Sequence, residues 1–172
     1  GFNKCATKSF HLFFKKNGHK SIHWDGGKWN AFFHNNHKAG KKLCEGMDNV
    51  VFWTDLTYIQ RHFEVFAMQY PDSKFIYNVR PLDDWIKSRK GHYKKKSSLN
   101  KIFINKYKLD KNKIPFEKYW RSEWIIYRER LLEFFSGQHR NRLLIFDIMK
   151  DGGSEIVKFL PELSFRHLTF PH

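Results

Sequence analysis

The stretch GFNKCATKSFHLFF, residues 1–14, decides the fold. A short apolar start runs into Lys4, then into small and hydroxyl residues, then into an apolar-periodic segment. Within SFHLFFKK (Ser9–Lys16), Phe10, Phe13 and Phe14 share one helical face. Asn17-Gly18 stops that helix. A strand, a tight turn of small residues and a helix make the frame of an anion-binding loop. Backbone N–H groups point into one concavity there, and the helix dipole adds positive potential. NKCATKS supplies Lys4, Ala6, Thr7, Lys8 and Ser9 to such a cradle. It is not a Walker A loop: only Lys8-Ser9 matches, and no glycine stands at the required places. A nucleotide kinase or NTPase is therefore disfavoured.

Beyond the opening turn the pattern alternates between strand-like and helix-like segments. KSIHW is a short strand, 28–42 a helix, and NVVFWT (Asn49–Thr54) a buried strand. Thr57–Tyr70 is a helix ended by Pro71, and KFIYNV (Lys74–Val79) is another buried strand. Leu82–Arg89 is a short helix with Asp83 and Asp84 in its first turn, where the dipole favours them. Phe116–Phe135 is a long amphipathic helix stopped by Ser136-Gly137. RLLIFDI (Arg142–Ile148) is a last strand, Ser154–Leu160 a closing helix, and the tail irregular. This alternation predicts an α/β class with a parallel central sheet flanked by helices, as a single domain over residues 1–172.

Composition agrees with a globular chain: of 172 residues, 41% are hydrophobic and 18 are Phe. No apolar run reaches the length of a membrane span. Two cysteines, Cys5 and Cys44, make no disulfide framework and no zinc spacing, so a reduced, cytoplasmic setting is expected and no metal. The net charge of +15 points to an anionic partner. Much of it lies in Lys87–Lys113, where eleven Lys or Arg face one acid, Asp110. A basic mobile excursion is expected at about residues 90–113.

FIYNVRPLDDWIKSR carries the second signal. Arg80 follows a buried strand directly, and Ser88 lies eight residues later on the next helix. Ligands of open α/β sheets bind beyond the carboxyl ends of the strands. Arg80 and the opening turn are both expected at that edge, and a guanidinium is suited to forking a phosphate.

Together these stretches resemble the sulfotransferases that use 3′-phosphoadenylyl sulfate (PAPS), whose fold is of the P-loop nucleotide-hydrolase type. GFNKCATKSF is similar to the family's 5′-phosphosulfate loop, G-x-x-K-x-G-T-T-S-L. KFIYNVRPLDDWIKSR is similar to its 3′-phosphate segment, with the same Arg-to-Ser spacing. EWIIYRERLLEFF, RLLIFDI and EIVKFL resemble the family's final helix, strand and closing helix, and the end FPH resembles a bacterial-type branch. Ala6 stands where the family has Gly, and Lys8 where it has Thr. An alanine there keeps a tight turn if its φ stays negative.

The resemblance implies transfer of a sulfuryl group from PAPS to a hydroxyl or amine of a glycan or small molecule, leaving 3′,5′-adenosine bisphosphate, without a metal. It implies that Lys4, Cys5, Ala6, Thr7, Lys8 and Ser9 hold the 5′ end and that Arg80 and Ser88 hold the 3′-phosphate. Lys4 also meets charge on the leaving group. The family's base is a His or a carboxylate. Asp55, just past NVVFWT, is the first candidate, with His23 and Asp25, past KSIHW, as rivals. His11 is expected to pack or face water. Two alternatives stand beside this: a nucleotide-binding relative that has lost catalysis, and a basic nucleic-acid-binding module.

Overall fold

A computed structural model of the chain describes residues 2–94 and 116–171. Most of the expected basic excursion, residues 95–113, lies outside the described residues. In chain order the elements are α1 (Thr7–Lys16), β1 (Ser21–His23), α2 (Lys28–Lys38), β2 (Phe52–Thr54), α3 (Thr57–Arg61), α4 (Phe63–Gln69), β3 (Phe75–Val79), α5 (Leu82–Lys94), α6 (Phe116–Phe134), β4 (Leu143–Asp147) and α7 (Gly153–Phe159). Short 3-10 turns cover Asp25–Gly27 and Gly137–Arg142. The chain forms two compact units: Gly1–Val79 with His139–His172, and Arg80–Gln138.

The first unit is mixed helix and strand, with parallel pairing throughout. β1 pairs with β2 so that Ser21 is level with Phe52 and His23 with Thr54. β3 pairs with β4 from Phe75 level with Leu143 to Val79 level with Asp147. Among the described residues the strands are hydrogen-bonded as these two pairs. Parallel neighbours need long crossovers, and α2 supplies one between β1 and β2.

Successive residues of β2 face opposite ways, so the strand serves two cores. Phe52 packs on a cluster of Phe10, Phe13, Phe14, Phe146, Ile156 and Phe170, which Ile76 and Leu144 also join. Trp53 packs on a second cluster built from Phe33, Leu43, Leu56 and Phe66. In the first cluster the Phe14 and Phe52 rings stack at 4.0 Å, 3° from parallel, and Phe10 meets Phe146 edge-on at 4.9 Å. Each such pair adds about 0.5–1.5 kcal/mol beyond the area it buries.

Several boundaries differ from the sequence reading. α1 starts at Thr7, two residues early, and α2 ends at Lys38 rather than at residue 42. Both helices close in the same way. Gly18 (φ 83) and Gly40 (φ 68) take the left-handed conformation after the cap. His19 N–H then bonds the Phe14 carbonyl, and Lys41 N–H the Asn36 carbonyl. The expected helix Thr57–Tyr70 breaks at His62 (φ −122°, ψ 31°). α3 is pinned to α2, where Tyr58 N–H donates to Asn30 and His37 meets the Tyr58 hydroxyl at 2.7 Å. α4 turns instead to bury Phe63, Phe66 and Ala67. Tertiary packing overrides a periodic pattern here.

The second unit holds α5, which runs five residues past its expected end, and α6. Arg89 is buried, with its guanidinium over the Trp85 ring at 4.8 Å, over the Trp120 ring at 4.9 Å, and 3.6 Å from Glu123. A cation between two indoles staples the helices together.

The tail after α7 is irregular but tied down. Buried Asn17 donates to the Phe13 and His167 carbonyls at 3.0 and 3.1 Å and accepts from Arg166 and His167 N–H at 2.8 Å each. Gly153 lets the tail approach α7: a Cβ there would sit 2.1 Å from the Leu168 carbonyl oxygen. Asn17→Ala should lower stability by about 2–4 kcal/mol, because it strips partners from buried backbone groups. Gly153→Ala should loosen the tail. Urea denaturation and limited proteolysis after α7 check both; unchanged midpoints and cleavage would contradict the account.

Candidate active site

The opening loop enters α1 through backbone that side chains rarely adopt. Lys4 has φ 67° and Ala6 φ 58°. Ala6 therefore does not keep the negative φ expected of an alanine there; it adopts the conformation a glycine would. Asn78 of β3, buried, donates its amide to the carbonyl of Cys5, itself buried, and this fixes the loop beneath α1. Cys5 thus contributes a carbonyl rather than an exposed thiol. The first intrahelical bond is Phe10 N–H to the Ala6 carbonyl, so the N–H groups of Thr7, Lys8 and Ser9 have no acceptor within α1. No acid stands in this first turn, and the Lys8 side chain is exposed. An anion is the natural complement.

Among the described residues five non-glycines have positive φ: Lys4, Ala6, Trp24, Asp25 and Asp55. Two are in the opening loop, two follow β1, and one follows β2. Each costs about 1–3 kcal/mol, and such residues cluster where the chain positions groups for chemistry.

The strand register explains what meets at this edge. His23 is level with Thr54, so Asp55, the next residue, emerges beside it. Asp55 Oδ2 lies 3.4 Å from His23 Nε2, with the two side chains 22% and 26% exposed. Thr7 Oγ1 lies 3.3 Å from the same nitrogen, and Thr7 is buried. His23 and Asp55, rival candidates in the sequence, lie side by side in the structure. Asp25 is turned elsewhere: its carboxylate accepts from Trp29 Nε1 at 3.1 Å and pairs with the Lys28 ammonium, which holds its pKa below the usual range.

His11, expected from sequence only to pack or face water, instead joins this cluster. Its Nδ1 lies 2.9 Å from Ser21 Oγ, and its ring is 5.7 Å from that of His23. Burial, and then the charges of His23 and Lys15, lower its pKa. Thr7 and His11 are one helical turn apart, and Ser21 and His23 share a strand face. That pairing of i, i+4 with i, i+2 was the available signal.

Arg80 and Ser88 lie in the second unit, Arg80 directly after β3 and Ser88 on α5, both half-buried. Asp83, in the first turn of α5, accepts from the Arg121 guanidinium at 2.5 Å. A groove of about 440 Å³ between α5 and α6 is lined by Lys87, Lys90 and Arg121 among others. Lys90 and Arg121 both pair with Glu117 there.

A family model described as sulfotransferase domain matches residues 1–172. The chain belongs to the sulfotransferase domain family. No curated protein matches this sulfotransferase. Membership makes sulfuryl transfer its general chemistry, with a nucleotide donor and a separate acceptor. Among the described residues, no group of three or more His, Cys, Asp or Glu is arranged to hold a metal, and no helix is long and apolar enough to cross a membrane.

The φ of Ala6 gives a test with an unusual sign. Ala6→Gly should raise stability by about 1 kcal/mol, since a left-handed residue costs about that much with a Cβ. Ala6→Val should lower it. A urea midpoint that falls in Ala6→Gly would contradict this backbone.

Proposed function

We propose that this sulfotransferase takes its sulfuryl group from PAPS and passes it to a hydroxyl or amine acceptor, a glycan or small molecule. The observation that carries the reading is the clustering of strained residues around one edge, with a cationic helix N-terminus and the His23–Asp55 pair together. The two parallel strand pairs are read as parts of one central sheet of the P-loop type.

The donor set fits the anionic donor: a first turn without acids, with Lys4 and Lys8 and the hydroxyls of Thr7 and Ser9. PAPS, when bound, supplies the sulfuryl group and the phosphate that leaves. Lys4 neutralises charge growing on that phosphate. The backbone from Cys5 to Ala6 shapes the cradle, and Thr7, Lys8 and Ser9 hold the 5′ end. Arg80 and Ser88 are assigned to the 3′-phosphate on their motif.

His23 and Asp55 manage the acceptor's proton. With Nε2–H facing the Asp55 carboxylate, the basic nitrogen of His23 is Nδ1. Nδ1 takes the proton from the acceptor as its oxygen or nitrogen bonds to sulfur, and Asp55 stabilises the resulting imidazolium. Asp55 is thus proposed as the charge partner of the base, where the sequence alone makes it the first candidate for the base itself.

Transfer from ³⁵S-labelled PAPS to a panel of glycans, phenols and amines tests this. With an accepted substrate, His23→Asn and Asp55→Asn should each lower kcat about 100-fold or more. Both should keep their affinity for 3′,5′-adenosine bisphosphate within about threefold, since neither is assigned to the nucleotide. Full activity in His23→Asn would remove it from the mechanism.

A further inference from the structure

α1 and β1 meet along a polar seam beside the phenylalanine core. From the helix come Thr7 and His11, and from the strand Ser21 and His23. Thr7 Oγ1 meets His23 Nε2 at 3.3 Å, His11 Nδ1 meets Ser21 Oγ at 2.9 Å, and the two imidazole rings are 5.7 Å apart, tilted by 40°. A helix seated on a strand ordinarily fills such an interface with apolar side chains. Here His11 occupies a place that packing alone would give to a leucine.

We propose that His11 is a positioning residue for His23: anchored on Ser21, it holds the His23 ring in one orientation and leaves His23 as the imidazole that takes the proton. The proposal rests on the reading of His23 as the proton acceptor. Three groups set the electrostatics. His23 faces His11 from β1, Lys15 lies one turn along α1, and Asp55, just beyond β2, places its carboxylate on His23. Two of these oppose a positive charge on His11. Asp55 favours one on His23. His11 is therefore the ring of the two that resists protonation, through its burial and the charges beside it. Removing His11 leaves Ser21 without its imidazole partner and the His23 ring with one wall fewer.

Histidine side-chain ¹⁵N spectra across pH 5–8 test this without donor or acceptor. In the unmodified protein His11 should titrate below the ordinary imidazole range, and neutral His23 should show the single Nε2–H tautomer. In His23→Asn the His11 midpoint should rise by about half a pH unit or more, roughly threefold in proton affinity, as expected for charges this far apart even with water-like screening. In His11→Ala the neutral His23 signals should move to a mixture of tautomers, and His11→Asn, which can still bond Ser21, should restore the single form. Overlapping His23 spectra in all three proteins, or a His11 midpoint unmoved by His23→Asn, would overturn the proposal. Because nucleotide is absent from these samples, the result stands apart from whether PAPS is the donor.

Discussion

The stack of Phe14 on Phe52, with ring centroids 4.0 Å apart, ties α1 to β2 and thereby sets everything at the strand edge. Phe10, one turn earlier on the same face, is held between Phe146 and Phe170 at 4.9 and 4.8 Å. A helix gripped at two turns of one face cannot rotate or slide, so its first turn has a fixed place beside the ends of β1 and β2. Thr7 is three residues before Phe10, and it is this fixed start that brings its hydroxyl to His23. The aromatic core is therefore the support of the site as well as the main source of stability. A change of volume at Phe10, Phe14 or Phe52 would be felt at the opening loop, because close-packed interiors transmit displacement.

The same rigidity accounts for the strain. Lys4, Ala6 and Asp55 could relax only if α1 or β2 moved, and the core prevents that. The unfavourable backbone is spent on direction. The turn after β2 swings Asp55 back toward His23, and the opening loop turns sharply enough to start α1 with first-turn N–H groups that have no acceptor within the helix. Asn78 secures the arrangement from below through the Cys5 carbonyl.

Much of this was legible in the sequence. The opening turn, the helix behind it, the strands and the parallel class follow from hydrophobic period and from Gly and Pro punctuation. So does the edge at which His23 and Asp55 emerge, since each directly follows or ends a strand. What was not legible has physical reasons. The break at His62 comes from two tertiary anchors pulling in different directions, which a 3.6-residue period does not record. The positive φ of Ala6 stands next to a buried tie between the Cys5 carbonyl and Asn78, 73 residues along the chain, which no local pattern records. The partnership of His23 with Asp55 depends on strand register, and His11 depends on how the helix is rotated over the strand. Neither is a property of one segment.

The central claim is that the loop before α1 holds the 5′ end of an adenine nucleotide donor. Calorimetric titration of the full chain with 3′,5′-adenosine bisphosphate, alongside Lys4→Ala, tests it most directly. The account predicts an affinity on the order of micromolar, weakened about tenfold or more in Lys4→Ala, as expected for loss of a charge-assisted phosphate contact. No binding by the folded chain, or equal binding by both proteins, would contradict it.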